Sequence, residues 1–167
     1  MSLNPKEFWM LLGQRAIGST VITVDGADGP SGFLGLSATH VCASPPTMLV
    51  SIDEKTSACA DVLARRRFAV NYLPAGSERV AELFSGKAGV LGSERFEEGQ
   101  WTSLETGCPI YVGAVGAADC EVEEIIHRHG VAIVIGRVVA AMTNDKEMPL
   151  VHYRGGMVTL TAAPPPG

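Results

Sequence analysis

The segment FLGLSATHVCASPPTMLVSID (residues 33–53) differs in composition from an ordinary core strand. β-Branched and aromatic side chains fill a pleated, half-buried surface best, yet this segment begins with small and hydroxyl-bearing residues and contains two adjacent prolines. Its last part, TMLVSID (residues 47–53), is typical of a buried strand. The small residues of the first part either let a flat ring lie close to the backbone or mark a tightly packed strand crossing.

Strand-like segments dominate on both sides of this segment. AIGSTVITV (residues 16–24) is β-branched and precedes the turn-rich DGADGP, so we expect a hairpin with a returning strand over residues 31–41. Pro45 and Pro46 are expected to stop the pairing before the next strand. Further strands are predicted over residues 68–73, 110–129 and 131–141, with a last hairpin near LVHY and MVTL.

Helices are few and short. NPKEFWMLL begins with Asn4 as a helix N-cap, Pro5 at the first helical position and Glu7 in the capping-box position. SACADVLARRR and SERVAELF are predicted as two further helices.

About seven strand-like segments with two or three short helices favour a mainly β fold, a closed antiparallel barrel whose ends the helices cover. No strand is followed by a G-x-G-x-x-G that opens a helix, which excludes a dinucleotide-binding Rossmann sheet. The 167 residues are enough for one domain, which we expect over residues 1–160, followed by a flexible proline-rich tail over residues 161–167.

Charge and hydropathy exclude two classes of partner. Eighteen acidic and thirteen basic residues give a net charge of −5, which opposes binding to the phosphate backbone of a nucleic acid. The only basic run, residues 65–67, is expected at a helix C-terminus, where cations complement the dipole. The longest apolar run, residues 131–142, is shorter than the ~20 residues of a membrane span and contains Arg137, so no membrane association is expected.

The cysteines and histidines do not form a recognisable metal motif. The four cysteines are far apart and make no C-x-x-C pair, so they are predicted to be reduced thiols, mostly buried. Lys6 and Glu7 interrupt the N-terminus before any apolar run, so no secretory leader and a cytoplasmic location are expected. His127 and His129 would share a face of a strand, but no glutamate follows them, and exposed strand-end histidines are the alternative to a metal site.

A candidate anion site follows the buried strand. Lys55, Thr56 and Ser57 stand at the start of a predicted helix, where backbone N–H groups are free and the helix dipole is positive. A threonine or serine hydroxyl and a lysine ammonium could join those N–H groups around a phosphate monoester. An ordinary N-cap beside a solvated lysine is the alternative.

The order of several motifs resembles the flavin reductase family of FMN-binding split barrels. Members of that family typically have G-M-T-A-S-S before D-P-P, then L-V-x-L-D and R-F-x-V-N. The sequence contains GFLGLSATHVCASPPTMLVSID, then RRFAVNYL, and ends with PLVHYRGGMVTL, which is similar to the family's P-L-x-Y-x-R-G. The resemblance covers about residues 8–160.

This resemblance implies a homodimer of split barrels that binds FMN, or alternatively FAD, and transfers hydride from NADH or NADPH to the flavin. Many members release reduced flavin to a separate monooxygenase. No catalytic acid–base residue is required, because the cofactor supplies the chemistry.

The family's cofactor-binding positions fall on two segments. The first contains Leu34, Gly35, Leu36, Ser37 and Thr39. The second contains Ser51, Ile52, Asp53, Lys55, Thr56 and Ser57, and it includes the candidate anion site.

Two departures from the family pattern concern these segments and the nicotinamide. The family's T-A-S-S is replaced by LGLS (residues 34–37), so two hydroxyls are missing and ring binding would depend more on backbone groups. Val131 stands where the family has a histidine near the nicotinamide; His129 could replace it if both positions lie on one strand, because an offset of two keeps the same face.

The remaining candidate substrate-binding residues are His152, Tyr153 and Arg154, in a segment that inverts the family's Tyr-His order. They would flank the flavin or nicotinamide, or only close the last hairpin. Because of Val131, a flavin-binding barrel without significant reductase activity, acting as a carrier, a sensor or a complex subunit, remains the alternative to a reductase.

Overall fold

The computed structural model describes residues 3–161 of the chain. Three α-helices and a 3₁₀ helix accompany the strands: α1 (Pro5–Leu12), α2 (Ser57–Arg65), α3 (Glu78–Phe84) and the 3₁₀ helix Gly92–Arg95. The strands are β1 (Ile17–Gly18), β2 (Thr20–Gly26), β3 (Gly29–Gly35), β4 (Thr39–Ala43), β5 (Pro46–Asp53), β6 (Arg67–Tyr72), β7 (Trp101–Ser103), β8 (Pro109–Tyr111), β9 (Gly116–Arg128), β10 (Val131–Thr143), β11 (Leu150–Tyr153) and β12 (Gly156–Thr159). Within residues 3–161, every helix is too short or too polar to cross a membrane.

A seven-stranded antiparallel sheet in the order β3-β2-β6-β9-β10-β5-β4 forms the body of the fold. Its two edge strands, β3 and β4, are consecutive in the chain and are joined by residues 36–38 alone. A fully extended chain spans at most ~3.6 Å per residue. A connection of three residues therefore requires the sheet to curl until its two edges approach each other. The fold is therefore the predicted mainly β, antiparallel split barrel.

The expectation of a closed barrel, drawn from strand count alone, is wrong. Within the described residues β3 and β4 are not paired, so the barrel is open along this line. Two smaller sheets complete the structure, β1-β11-β12 and β7-β8.

The break between β3 and β4 also corrects the predicted strand over residues 31–41. β3 ends at Gly35 and β4 begins at Thr39, so one continuous strand is replaced by two strands on opposite edges of the sheet. Pro46 is the first residue of β5 and pairs with Ala43, so the two prolines form a hairpin turn rather than end the pairing. The predicted strand 110–129 is likewise interrupted between β8 and β9.

The main core lies inside the curled sheet. Strand residues such as Ile22, Val50 and Phe68 are fully buried there, and α2 covers one side with Cys59 and Val62. A second cluster around Leu73 and Leu150 connects the three-stranded sheet to α3. Each cluster buries side chains from strands that are distant in sequence, so the fold depends on non-local contacts.

The arginine run makes hydrogen bonds to neighbouring elements, although only Arg65 lies within a helix. α2 ends at Arg65, Arg66 adopts a left-handed conformation (φ 56°), and Arg67 begins β6. Arg67 Nε donates to Asp25 Oδ1 at 2.7 Å, and Arg66 Nη2 donates to the carbonyl oxygen of Val122 at 3.2 Å. The run therefore joins α2 and β6 to neighbouring strands.

Helix α1 begins as predicted. Asn4 Oδ1 accepts from the N–H of Glu7, and Glu7 Oε2 accepts from the N–H of Asn4, each at 3.0 Å, which completes a capping box. None of the residues of α1 is buried, and Trp9 is 69% exposed. The predicted proline-rich tail lies outside the described residues except for Thr161.

Candidate functional site

The two predicted cofactor-binding segments meet at one polar contact. Ser37, in the connection between β3 and β4, donates its hydroxyl to the carbonyl oxygen of Ser51 at 3.0 Å. The same hydroxyl oxygen accepts from the N–H of Ser51 at 3.1 Å. Ser51 lies on β5 and belongs to the second segment, so this contact attaches the connection between β3 and β4 to that segment.

The other residues of the first segment have different surroundings. Leu34 is half-buried on β3 and packs against the second core cluster, whereas Thr39 is exposed opposite Leu49 at the start of β4. Leu36 is half-buried in the connection. Gly35 is buried, and the hydroxyl of Thr20 donates to its carbonyl oxygen.

The absence of a side chain at Gly35 is explained by packing. A Cβ atom there would lie 2.7 Å from Cγ1 of Ile22, inside the core. The tightly packed crossing, which was the alternative to a ring-binding role, therefore accounts for this glycine.

The second segment forms a compact turn after β5. Ile52 is fully buried, so only its backbone could face a ligand, whereas Asp53 is exposed. Asp53 Oδ1 accepts from the N–H of Lys55 at 2.9 Å, and the carbonyl oxygen of Asp53 accepts from the N–H of Thr56 at 2.8 Å. These two bonds fix the turn that leads into α2.

The start of α2 has the free donors of an anion site. Thr56 is the N-cap residue, but its side chain makes no capping bond, so it does not act as the ordinary N-cap that was the alternative to an anion site. Within residues 3–161 the N–H groups of Ser57 and Ala58 have no acceptor. Lys55, Thr56 and Ser57 therefore contribute an ammonium and two hydroxyls, and the N–H groups of Ser57 and Ala58 complete a donor set that fits a phosphate monoester.

Acidic groups also surround this turn. Asp53 and Glu54 precede Lys55. Burial raises the pKa of the Cys59 thiol, and the nearby carboxylates of Glu54 and Asp53 raise it further. Glu54 Oε1 lies 2.6 Å from Nδ1 of His127 at the end of β9. Two of the charges at this turn are therefore negative, and one of them is held by a histidine.

His129 is not on a strand. β9 ends at Arg128, and His129 (φ 53°) and Gly130 (φ 76°) form a left-handed turn between β9 and β10. The face-sharing argument by which His129 would replace the family histidine, and by which it would pair with His127, does not apply. Val131 is the first residue of β10 and pairs with Asp53, so that position lies directly beside the second segment.

No group of three or more potential metal ligands exists among the described residues, and His127 is occupied by Glu54. The glutamate that the local sequence lacks comes from the turn after β5, 73 positions away. Sequence reasoning missed this contact because only the pairing of β10 with both β5 and β9 brings the two residues together.

The last three predicted residues lie in the three-stranded sheet. His152 pairs with Ile17 of β1, and its Nδ1 atom is buried with no hydrogen-bond partner in the described part of the chain. Arg154 adopts a left-handed conformation (φ 50°) and donates to Oε1 of Gln14 at 2.8 Å and 3.1 Å, so it is committed to the end of α1. Its guanidinium lies 5.2 Å from the ring centroid of Tyr153. The partners of His152, Tyr153 and Arg154 described above do not include Ser37 or Ser51.

A shallow groove of about 410 Å³ lies elsewhere, between the β7-β8 hairpin and the turn near Phe96. None of the predicted cofactor-binding residues lines it. The candidate site at the start of α2 lies outside this groove, with Lys55 and Ser57 exposed on the surface.

Comparison with known proteins identifies the family. The model of the flavin reductase like domain matches residues 12–161. The chain therefore belongs to the flavin reductase family, and the predicted enzyme class, an NAD(P)H:flavin oxidoreductase, is confirmed.

Relatives and solved structures agree with this assignment. The chain is 42% identical over 129 residues to FMN reductase (NADH) RutF 2 of Rhizobium rhizogenes, which covers 75% of the chain and 73% of the relative. It is 28% identical to FMN reductase (NADH) RutF of Yersinia enterocolitica over 92% of the chain and 83% of the relative. The NADH:FAD oxidoreductase SgcE6 of Streptomyces globisporus superposes with a TM-score of 0.87 at 26% identity, covering 97% of this chain and 98% of that chain. BorF, the flavin reductase component of a bacterial two-component tryptophan halogenase, superposes with a TM-score of 0.87 at 25% identity. The match covers 96% of this chain and 100% of that chain.

Proposed function

We propose that the protein reduces FMN with NADH and that the phosphate of FMN binds at the start of α2. The observation that carries this proposal is the pair of N–H groups of Ser57 and Ala58, which have no acceptor among residues 3–161 and lie next to Lys55. Helix N-termini bind phosphate because their free N–H groups and the helix dipole both favour negative charge.

The two segments have separate tasks in this proposal. The turn of Lys55, Thr56 and Ser57 binds the phosphate, while the connection containing Ser37 supports the ring through backbone groups. When bound, the flavin accepts a hydride from the nicotinamide, so the protein needs to hold two rings in contact rather than to move protons. Ser37 serves this purpose by joining the connection to β5 through two hydrogen bonds.

The nicotinamide is proposed to lie on the side of Val131, because this residue pairs with Asp53 of the second segment. His129, in the adjoining turn, is the nearest histidine in sequence and remains a candidate for contacting it. His152, Tyr153 and Arg154 remain predicted substrate-binding residues. The supporting observation is the buried Nδ1 atom of His152, which has no hydrogen-bond partner among residues 3–161.

The choice of FMN and NADH rests on the names of relatives. Several relatives are named FMN reductase (NADH), whereas SgcE6 is named an NADH:FAD oxidoreductase, so FAD is the second flavin to test. NADPH is tested as the alternative donor. The family assignment favours a reductase over a flavin carrier, sensor or complex subunit.

Partners and location follow from similar arguments. BorF is named as one component of a two-component system, which supports release of reduced flavin from this protein to a separate monooxygenase. A homodimer is supported by apolar side chains left exposed on α1 and β4, such as Trp9 (69%) and Val41 (47%). A cytoplasmic location is supported by four unpaired cysteines, three of them buried.

The activity is tested by mixing the purified protein with FMN, FAD or riboflavin and following oxidation of NADH and NADPH. We expect turnover with FMN and NADH. Bound flavin without turnover under any combination would contradict the proposal and favour the binding module.

The phosphate site is tested by Lys55→Ala combined with Ser57→Ala. This double variant should weaken FMN binding at least tenfold while changing riboflavin binding much less, because riboflavin lacks the phosphate. Lys6→Ala combined with Ser103→Ala removes the same groups from exposed positions on α1 and β7 and serves as the control. Equal losses for FMN and riboflavin would exclude a phosphate role for the α2 turn.

A further inference from the structure

The contact between Glu54 and His127 lies beside the proposed phosphate site. Glu54 Oε1 and His127 Nδ1 are 2.6 Å apart, with the side chains 41% and 59% exposed respectively. The backbone repeats the connection, since the N–H of Glu54 donates to the carbonyl oxygen of Gly130 at 2.9 Å. The turn before α2 is thus attached to the β9-β10 hairpin by both its main chain and its side chain.

Strand register explains why His127 reaches this turn. His127 pairs with Ala132 of β10, and Ala132 pairs with Ile52 of β5, so the three residues form a row across the sheet. Directly paired residues of an antiparallel sheet point to the same face. The side chain of His127 therefore stands over the end of β5, where the chain turns into α2.

The carboxylate of Glu54 would oppose phosphate binding if its contact with His127 did not fix its position. It is adjacent in sequence to Lys55 and stands before a helix N-terminus, and both of these attract negative charge. A carboxylate free to rotate would compete with a phosphate for Lys55 and for the N–H groups of Ser57 and Ala58, and it would repel the phosphate directly.

We propose that His127 is a positioning residue for the cofactor phosphate, because it holds the carboxylate of Glu54 at the β9-β10 hairpin. This inference rests on the proposed function and deepens it. Lys55 and the free N–H groups of α2 then remain available to a doubly charged phosphate ester, although two acidic residues precede them in the chain.

Four variants and two ligands test this role by titration of FMN and riboflavin binding. His127→Ala should weaken FMN binding about two- to fivefold, the range expected for an exposed side-chain contact, and leave riboflavin binding unchanged. His127→Gln should retain most of the FMN affinity, because the glutamine amide can also donate to Glu54. His127→Ala combined with Glu54→Gln should restore FMN affinity, since the released side chain no longer carries a charge.

Arg137→Ala is the matched control. Arg137 lies on β10 and contacts Glu121 at 3.0 Å and Glu123 at 3.7 Å, both on β9 and similarly exposed. Its loss therefore also frees carboxylates on the same strand pair, but beside the first residues of β5 rather than at the start of α2. This control should change neither affinity.

The outcomes separate this inference from the proposed function. An unchanged ratio of FMN to riboflavin affinity in His127→Ala, or no recovery in the double variant, overturns the positioning role while the wild-type preference for FMN still supports the proposed function. A wild-type protein that binds FMN no more tightly than riboflavin overturns the phosphate site and this inference together.

Discussion

Ser37 and Ser51 are joined by two hydrogen bonds. The hydroxyl of Ser37 donates to the carbonyl oxygen of Ser51 at 3.0 Å and accepts from the N–H of Ser51 at 3.1 Å. Ser37 belongs to the only connection between the edge strands β3 and β4, and Ser51 lies on β5. This pair therefore holds the open side of the barrel against the strand that leads into the proposed phosphate site.

Ser37→Ala should lower both stability and flavin affinity. The loss of two partly exposed hydrogen bonds should reduce the free energy of unfolding by about 1–2 kcal/mol. Flavin binding should weaken several-fold because the connection is no longer held to β5. Urea denaturation and flavin titration measure the two effects, with Ser103→Ala on β7 as the control. A variant that matches the wild type in both measurements would show that the pair has no such role.

Gly35→Ala should lower the stability of the fold rather than specifically weaken flavin binding. The added Cβ would stand 2.7 Å from Cγ1 of Ile22, and overpacking of this kind costs about 1–3 kcal/mol. Gly18→Ala is the matched control, because nothing lies within 4 Å of a Cβ at that strand position. Denaturation curves for the two variants test the difference. Lost flavin binding at unchanged stability would instead indicate that a ring lies against Gly35.

Asn71→Ala should be among the most destabilising single changes. The Asn71 side chain is fully buried, donates to the carbonyl oxygens of Val21 and Pro109 at 3.2 Å and 3.3 Å, and accepts from the N–H of Tyr111 at 2.8 Å. Removing it leaves several buried groups unpaired, and we expect a loss of about 2–4 kcal/mol in the free energy of unfolding. Thermal denaturation measures it, and a loss below about 0.5 kcal/mol would contradict the described network.

The cysteines should differ sharply in reactivity. Burial raises the pKa of Cys108 from 9.0 to about 11 and that of Cys120 to about 12, whereas Cys42 is exposed. At pH 8 a thiol reagent should therefore modify one cysteine rapidly in the native protein and all four after denaturation. Rapid modification of two or more native thiols would contradict the burial.

The same shifts predict alkaline destabilisation. Burial in the folded state raises the pKa values of the Cys108 and Cys120 thiols above those in the unfolded chain, so the folded state keeps both thiols protonated to higher pH. The stabilisation is complete below about pH 9 and is lost as the pH rises toward 11 and 12. Urea midpoints measured from pH 8 upward should fall, and a rising midpoint would have the wrong sign.

Local sequence signals predicted the local structure well. The capping box of Asn4 and Glu7, the start of α2 after Asp53 and the antiparallel class all follow from short-range patterns. The break at Gly35 was missed because β-propensity does not reveal that two consecutive strands occupy opposite edges of a sheet.

The surroundings of the site were harder to predict. The contact between Glu54 and His127 depends on the register of three strands, which no local pattern encodes. The turn at His129 did have a signal, because a polar residue followed by glycine between two β runs is typical of a two-residue hairpin turn with positive φ.

A crystal structure of the protein soaked with FMN tests the central claim most directly. The account predicts the phosphate within hydrogen-bonding distance of the N–H groups of Ser57 and Ala58, near the ammonium of Lys55, with the flavin ring extending toward Ser37. FMN bound with its phosphate elsewhere, or with the start of α2 covered by the protein's own side chains, would contradict it.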